Sequence, residues 1–402
     1  MKSSTPTDRS MELRPYDPKI CELCGNCLLA CPALSLSRKD AELEIYRLQQ
    51  GDLTSPVTDA CISCFACSAA CPHQLDTHGL VLSLWHKKRR EKIPAHVRAA
   101  LPQQVPPNPW SAVRRYFSPA EKEFYKKLDQ DVTGKEILYL GCNQLLDPYL
   151  ADSPLFQNLH PAAAAGICCG EPYYRMGFLE SYEKSARAWL DHWKQRAPSR
   201  MVVFCTPCLN MIKNVYPNLP GQSPDFPVIG VFEWLCEKLE EGEIRPEKEI
   251  GRRLMVQHSC HARILGRQFM ESVDPLFEKS GIKILKPASK EEEMACCGFA
   301  AAARRYNPLE MYRLGVKRLQ SAERLSAEGI AAYCNGCLLM LTMAERLSAS
   351  GLRSFHLVEL LEKACGHDLY RPHQKRARQI MMAAARTAPA KIMVPPKNRL
   401  RF

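Results

Sequence analysis

Hydrophobic positions in the middle of the chain switch between a strand pattern and a helix pattern. Four short β-rich runs, at residues 137–140, 201–204, 254–257 and 330–333, are predicted as strands, and each ends at or just before a cysteine. One helix is predicted to end before Pro198, because its apolar stripe is formed by Leu179, Tyr182, Ala186, Trp189, Leu190 and Trp193. Strands that alternate with helices indicate parallel α/β units, whose ligands gather at the carboxyl ends of the strands.

The same stretch of chain repeats itself from about Lys135 to Asp368. The segments EILYLGCN, CCG, an amphipathic helix, VVFCTPC and VFEWLCEKL are matched in the same order by RLMVQHSC, CCG, another helix, IAAYCNGC and LVELLEKAC. An ordered set of matches of this kind predicts one duplicated structural unit.

Cysteine usage indicates metal binding in a reducing compartment. The chain has 402 residues, 46% of them hydrophobic, and this length supports a core without disulfides. Most of its 20 cysteines lie in CxxC or CC groups beside Pro or Gly, unlike the scattered cysteines of a secreted scaffold. The first 15 residues lack an apolar signal core, and nowhere do about 18 apolar residues run together. We therefore expect a cytoplasmic protein.

Two identical cysteine motifs, CELCGNCLLACP and CISCFACSAACP, lie within the first 95 residues. Their C-x2-C-x2-C-x3-C-P spacing is the bacterial ferredoxin signature for 4Fe-4S cubanes, in which the fourth cysteine of each run serves the other cluster. Two zinc sites are the alternative, but zinc would leave the repeated third spacing unexplained. The predicted ligands are Cys21, Cys24, Cys27 and Cys71 for one cubane, and Cys61, Cys64, Cys67 and Cys31 for the other.

The two CCG triplets, at residues 168–170 and 296–298, present a geometric problem. Adjacent Cα atoms are about 3.8 Å apart and successive extended side chains point to opposite faces, so neighbouring thiols rarely bind one ion together. A disulfide between them would be strained. A cluster of several irons removes the difficulty, because each thiolate can bind a different iron. The glycine would allow a positive φ or a close backbone approach.

The order Cys, CCG, CxxC occurs twice and follows a ferredoxin segment, and this arrangement resembles the CCG-domain iron–sulfur family. Within that family it resembles the D-type subunit of heterodisulfide reductase, in which a ferredoxin segment like the C-type subunit is fused to CCG repeats like the B-type one. The resemblance covers nearly all of residues 15–368, including LYLGC, QHSCHARILGR and VELLEKA. The two five-cysteine sets are Cys142, Cys168, Cys169, Cys205 and Cys208, and Cys260, Cys296, Cys297, Cys334 and Cys337.

The resemblance implies one or two noncubane 4Fe-4S clusters at which a disulfide is cleaved. Only 25 residues separate the first two cysteines of the first set, against the more usual 35 in the second, so the second set is the firmer site. A thioredoxin-like dithiol at Cys205 and Cys208, or a zinc site that adds Cys334 and Cys337, stays open, although neither explains the CC pairs. The cysteines expected at the reaction centre are Cys168, Cys169, Cys296 and Cys297.

The expected fold class is α/β, with an α-helical ferredoxin-type domain that holds two 4Fe-4S clusters at the N-terminus and two repeated α/β CCG units with parallel strands. The expected divisions are a ferredoxin-type domain at 1–95, a proline-rich linker at 96–134, a first CCG domain at 135–250, a second at 251–370 and a basic tail at 371–402. The stretch LPQQVPPNPW at 101–110 is predicted to be extended.

Residues beside the cysteines are candidates for supporting roles. His258 and His261 flank Cys260, and either could hydrogen-bond a cluster sulfur, supply a proton to a leaving thiolate, or simply pack in the core. Glu171 follows one CCG triplet and Phe299 the other, so the two sites are expected to differ in polarity. The cysteines outside both sets, expected to be small buried hydrophobes, are Cys236 and Cys365.

The formal net charge of +12 is concentrated in the tail, where residues 371–402 carry nine Lys or Arg and no Asp or Glu. A helix at 374–388 would be a basic amphipathic one, suited to a membrane surface or an acidic partner, and a solvated tail is the alternative. Nucleic acid is not expected, because no aromatic interleaving accompanies the charge. Pro389, Pro395 and Pro396 are expected to prevent extension of the helix. Its faces would set Ala377, Ile380, Met381 and Ala384 against Lys375, Arg376, Arg378 and Arg386.

These patterns predict an iron–sulfur oxidoreductase subunit of an anaerobic complex. Electrons are expected to pass through two cubanes to CCG-bound clusters that reduce, or form, a disulfide. No glycine-rich dinucleotide fingerprint follows a predicted strand, so other redox subunits must supply the electrons. The resemblance implies a membrane b-type cytochrome, and a flavoprotein is the other candidate. The alternative function is an electron relay in a flavin-dependent glycolate, lactate or glycerol-3-phosphate dehydrogenase, and a non-redox metal scaffold is a third.

Overall fold

The computed structural model describes residues 13–99, 101, 106–164, 166–219, 223–301, 303, 308–348, 350–367 and 373–393. The N-terminal part is helical. Its two cysteine motifs share one local structure, because Gly25 and Phe65 each precede a short helix with a positive φ, of 70° and 63°. Its helices are α1 (Asn26–Leu29), α2 (Arg38–Gln49), α3 (Pro56–Ala60), α4 (Ala66–Ala69), α5 (Thr77–Arg89) and α6 (Ala95–Ala99).

The stretch expected to be an extended linker forms helices α7 (Pro109–Val113) and α8 (Pro119–Lys127). Asn108 caps α7, since Ser111 N donates to Asn108 Oδ1 at 2.8 Å, and a proline at the first helical position suits this cap. Leu101 is buried, while residues 102–105 lie outside the described part of the chain. The expectation of an extended segment at 101–110 is therefore wrong for Leu101, which packs into the core, and for residues 109–110, which begin a helix.

Two parallel four-stranded sheets follow, and they have the same strand order. The first α/β unit, residues 136–240, has the order β2-β1-β3-β4, and the second, residues 252–364, has the order β6-β5-β7-β8. The expected parallel α/β architecture is thus confirmed. The strands are β1 (Glu136–Tyr139), β2 (His160–Ala162), β3 (Arg200–Val203), β4 (Val228–Gly230), β5 (Arg252–Gln257), β6 (Ile282–Leu285), β7 (Ile330–Ala332) and β8 (Ser354–His356).

Helices cover these sheets and connect the parallel strands. The first unit contains α9 (Gly141–Gln144), α10 (Glu171–Arg175), α11 (Leu179–Arg196), α12 (Thr206–Asn210) and α13 (Val231–Glu240). The second contains α14 (Ala262–Lys279), α15 (Lys290–Glu293), α16 (Pro308–Arg324), α17 (Asn335–Leu347) and α18 (Leu357–Ala364). The tail forms α19 (His373–Met393). None of the helices in the described ranges is long and apolar enough to cross a membrane.

The predicted strands and helix form where the apolar pattern placed them. β1, β3, β5 and β7 differ from their predicted bounds by at most two residues, and α11 ends before Pro198 as expected. Trp189 and Trp193 on α11 are fully buried against Tyr139 of β1, and Trp189 Nε1 donates to the Tyr139 hydroxyl at 2.8 Å. The helix stripe and the central strand therefore build one core.

The basic tail packs against the rest of the protein, which was not expected. α19 contacts α6, α7 and α17, and Ala377 and Ile380 are buried as predicted. Arg376 was assigned to the charged face, but it is 2% exposed, ion-paired with Glu121, and donates to the carbonyl of Leu146 at 2.9 Å. A solvated tail is thus wrong for the described residues 373–387.

The expected end of this helix at Pro389 is also wrong, since α19 continues to Met393. A proline removes only one backbone hydrogen bond, and this one lies in the last turns of the helix. Thr387 is buried one turn earlier, where its hydroxyl donates to the Ala383 carbonyl at 2.9 Å. The packed turns before the proline therefore hold the helix. Residues 394–402, with Pro395 and Pro396, lie outside the described part.

Replacing Arg376 with Met should loosen α19. Glu121 would stay buried without its partner, which is expected to cost about 3–5 kcal/mol. Arg378→Met, on the exposed side of the same helix, is the matched control and should change stability by about 0.5 kcal/mol or less. Amide hydrogen exchange of residues 373–387 measures both variants. Equal exchange rates in the two would contradict the packed arrangement of α19.

Candidate iron–sulfur sites

Four cysteines of the ferredoxin segment surround one cavity. Cys21, Cys24, Cys27 and Cys71 line an empty space of about 310 Å³ together with Tyr16. Burial raises the pKa of Cys27 to about 12, and the neighbouring charges of Cys71 and Cys21 raise it further. Four thiols that repel one another as thiolates suit a positively charged iron cluster. The structure thus brings together the set predicted for the first cubane, although the binding of iron there stays a prediction.

The other four cysteines of this segment form a second group. Burial raises the pKa of Cys61 to about 12, and the charges of Cys64 and Cys31 add to it, while the Ser63 amide donates to Cys61 Sγ at 3.3 Å. Cys67 has a pKa well above its usual value through burial and the charges of the same thiols. Cys31 thus leaves its own motif and joins the second, as the ferredoxin spacing predicts.

The first five-cysteine set lies at the carboxyl ends of β1 and β3. Cys142 Sγ is 3.7 Å from Cys168 Sγ. A Cβ atom at Gly141, which has a φ of 70°, would lie 2.7 Å from Cys205 Cβ and 2.9 Å from Cys208 Sγ. Glycine is therefore required where β1 meets the CxxC loop. The remaining member, Cys169, is buried with the others.

The second set has the same arrangement at the ends of β5 and β7. Hydrogen bonds from Cys297 raise the pKa values of Cys296 and Cys337 well above the usual range, and burial adds to this. Burial also raises the pKa of Cys260 to about 11; the positive charge of a nearby arginine opposes this, and the charges of Cys297 and Cys334 add to it. The second set is thus also a compact group of buried thiols.

Both CCG glycines adopt the conformation that the triplet predicted. Gly170 has a φ of 83° and Gly298 a φ of 108°. A Cβ atom at Gly298 would lie 2.1 Å from the Met311 carbonyl oxygen, and one at Gly170 would lie 3.0 Å from a ring carbon of Tyr182. Both expected reasons for glycine, positive φ and close approach, are therefore confirmed. The Gly298 amide also donates to Cys296 Sγ at 3.2 Å.

The cysteine-bearing ends of the two sheets face each other. Asn335, which follows Cys334, donates through Nδ2 to the Asn143 carbonyl at 3.0 Å and to Asp147 Oδ1 at 2.7 Å. Asn143 in turn follows Cys142 of the first set. Burial raises the pKa of Asp147 well above its usual range. The two five-cysteine sets therefore belong to one buried interface between the two α/β units.

The two candidate histidines are buried and neutral. Burial lowers the pKa of His258 to about 4, and its Nδ1 lies 3.3 Å from the Tyr333 hydroxyl. The His261 ring lies between Glu171 Oε1 and Asn210 Nδ2, each at 3.1 Å. Among the hydrogen bonds of the described residues, neither ring bonds a cysteine sulfur. The packing role is the one that these contacts support.

Sequence reasoning did not find Arg175, which lies at the end of α10. Both of its terminal nitrogens are 3.5 Å from Cys260 Sγ, and it forms a buried ion pair with Glu171. The i,i+4 spacing of Glu171 and Arg175 predicts their pairing on a helix. No local signal reveals the contact with Cys260, because the two residues are 85 positions apart.

The two cysteines outside the sets are half-buried rather than buried. Cys236 donates to the Ser272 carbonyl at 3.1 Å, and burial raises its pKa to about 11. Cys365 lines a separate cavity beside Trp234 and Lys238. In the described part of the chain, no three His, Cys, Asp or Glu side chains have the geometry of a single-ion metal site.

Comparison with known proteins agrees with this arrangement. Residues 15–72 match the 4Fe-4S dicluster domain, and residues 155–213 and 254–342 match the cysteine-rich CCG domain. The chain therefore belongs to the iron–sulfur proteins in which a 4Fe-4S dicluster domain is joined to cysteine-rich CCG domains.

Its relatives include subunits of a known oxidoreductase. The D-type subunit of the dihydromethanophenazine:CoB–CoM heterodisulfide reductase of Methanosarcina barkeri is 22% identical over 326 residues, which cover 76% of this chain and 77% of the relative. The same subunit of Methanosarcina mazei is 22% identical over 363 residues, or 79% and 86% of the two chains. Lactate utilization protein A of Oceanobacillus iheyensis is 26% identical over 214 residues, or 49% and 82%.

Replacing Gly298 with Ala should destabilise the second α/β unit strongly. The methyl group would meet the Met311 carbonyl, so we expect a loss of more than about 3 kcal/mol. Gly251→Ala is the matched control, because that glycine also has a positive φ, 65°, but nothing within 4 Å of the added carbon. The control should cost only the left-handed strain, about 1–2 kcal/mol. Denaturant unfolding followed by tryptophan fluorescence compares them, and equal losses would refute the close approach.

Proposed function

We propose that the chain is the iron–sulfur subunit of an anaerobic redox complex, with a role like that of the D-type subunit of heterodisulfide reductase. The two ferredoxin-type groups would hold 4Fe-4S cubanes, and the two five-cysteine sets would hold one or two noncubane 4Fe-4S clusters. When bound, these clusters supply one-electron carriers and, at the five-cysteine sets, irons able to meet the sulfur of a disulfide or thiol substrate. The sets contain the proposed reaction-centre cysteines Cys168, Cys169, Cys296 and Cys297.

The observation that carries this proposal is the convergence of eighteen of the twenty cysteines into four groups. Two groups lie in the helical segment, and two lie where the carboxyl ends of the parallel strands face each other. Parallel α/β sheets place ligands at these ends. The buried side chains around the sets keep water away, and the glycines let backbone approach the thiols closely.

The helical segment packs directly on both α/β units. Tyr174 of α10 donates to Asp76 Oδ2 at 2.9 Å, and Phe65 packs beside His261 with ring centroids 4.9 Å apart. A Cβ atom at Gly177 would lie 2.7 Å from Trp85 Cβ. These contacts hold the second ferredoxin-type group beside the second five-cysteine set, as an electron path between them requires.

The relatives are subunits of multi-subunit redox complexes, so this chain also works with redox partners. We propose a membrane b-type cytochrome or a flavoprotein, through which an otherwise cytoplasmic chain would attach to the membrane. Apolar side chains are exposed near the first ferredoxin-type group, and a partner that delivers electrons there would cover them. They are Ile20, Leu29, Leu43 and Tyr46.

A second function has support from one relative. Lactate utilization protein A shares the cysteine-rich sequence over about half of this chain. In that case the chain would relay electrons for a flavin-dependent glycolate, lactate or glycerol-3-phosphate dehydrogenase without turning over a substrate itself. The two functions differ in whether a disulfide reaches the five-cysteine sets.

Disulfide binding to the reduced, anaerobically purified protein distinguishes them. A suitable low-molecular-weight or protein disulfide should change the EPR signal that arises from the five-cysteine sets, because its sulfur would contact iron there. Cys297→Ser should abolish this change and turnover, while the ferredoxin-type groups still accept electrons. Cys236→Ser, outside both sets, is the control and should keep both. If a broad disulfide panel leaves the spectrum unchanged and a flavoprotein reduces every cluster, the relay function is correct.

A further inference from the structure

A buried arginine joins three parts of the molecule at the second five-cysteine set. Arg175 belongs to the first α/β unit, and its guanidinium lies 3.5 Å from Cys260 Sγ in the second. Its Nη1 also donates to the Ser63 carbonyl of the helical segment at 3.1 Å. The side chain is 4% exposed, and that of its ion-pair partner Glu171 is 6% exposed. One positive charge therefore sits where all three parts meet.

The charge on this arginine is permanent. Burial would lower the pKa of Arg175, but the negative charges of Cys260 and Glu171 hold it well above its usual range. Burial likewise opposes ionisation of Glu171, yet the Arg175 charge and the His261 hydrogen bond lower the pKa of that carboxyl to about 2. A low-dielectric surrounding strengthens the field of such a cation at the nearby sulfur.

The first five-cysteine set has no counterpart of this arginine at the matching position. Arg175 is the sixth residue after the CC pair of the first unit, and Ala303 is the sixth after the CC pair of the second. Alanine carries no charge to place on Cys142. The influences that raise the pKa of Cys142 are the hydrogen bond with Cys168, burial, and the charges of neighbouring thiols. The duplicated unit therefore gives two sites of different charge.

The second set is also the one next to the ferredoxin-type group of Cys31, Cys61, Cys64 and Cys67. Ser63, which touches Arg175, lies between two members of that group, and α4 packs against α14 of the second unit. The positive charge of Arg263, on α14, acts on Cys31 and lowers its pKa against the effect of burial. The nearer site is thus the one that carries the buried cation.

We propose that Arg175 makes the two five-cysteine sites unequal, so that the second site has the higher reduction potential and receives electrons first. The inference rests on the proposed function. Each electron adds one negative charge to the site and comes from the neighbouring ferredoxin-type group, which is oxidised by one electron. A cation beside Cys260 stabilises the reduced form more than the oxidised form, and charge and hydrogen bonds at the sulfurs set such potentials.

An EPR-monitored redox titration of Arg175→Met tests this inference on the full chain. The signal of the second site, identified as the one that Cys297→Ser removes, should move to lower potential. At a fixed potential near the midpoint, its reduced-to-oxidised ratio should fall about tenfold or more. Arg175→Lys should restore most of the shift, because it returns the charge. The signals of the other groups should stay within error.

Arg187→Met is the matched control. Arg187 also pairs with a glutamate at i−4, Glu183, but at the surface of α11. It should leave every potential unchanged. If Arg175→Met fails to fold because Glu171 is left unpaired, the double variant Glu171→Gln/Arg175→Met removes both charges and carries the titration instead.

Iron content separates failure of this inference from failure of the proposed function. Wild-type protein without iron at the five-cysteine sets would refute the proposed function itself. Full iron content with unchanged potentials in Arg175→Met, and in the double variant, would overturn the role of Arg175 alone. Loss of iron from the second site in both variants would show that Arg175 only supports the fold there, and that result also overturns the inference.

Discussion

Mutual repulsion of buried thiolates is the constraint on which this structure depends. Cys27 and Cys61 each have a pKa of about 12, because they are buried among other thiols. The same combination raises the pKa values of Cys296 and Cys337. Such groups stay protonated near neutral pH unless a positive charge compensates them. Iron would provide that charge and release the protons, so the loops that carry the cysteines gain stability from the metal.

The fold meets this constraint by collecting the thiols where backbone is available to surround them. Parallel strands bring three loops of each unit to one edge, and glycines with a positive φ let adjacent cysteines diverge. The two units then face each other through Asn335 and Asp147 on one side and through Arg175 and Cys260 on the other. Duplication gives the two sites their common shape, and the single substitution of arginine for alanine distinguishes them electrostatically.

Much of this arrangement could be predicted from local sequence. The central strands and α11 follow from apolar periodicity, and the exchange of Cys31 and Cys71 between the ferredoxin-type groups follows from motif spacing. The edge strands could not be predicted, because runs such as HPA and SFH are too short for a pattern. Contacts between distant segments were also hidden. Arg376 reads as a charged surface residue until α19 is docked against α7, and Arg175 reaches Cys260 only once the two units pack together.

Iron and zinc content of the anaerobically purified chain tests the central claim most directly. With four irons in each cluster, the account predicts about 16 irons per chain if both five-cysteine sets are filled, and about 12 if one is empty. Acid-labile sulfide should match the iron. A count of about 8 irons accompanied by stoichiometric zinc would contradict the account, because the five-cysteine sets would then hold no iron cluster.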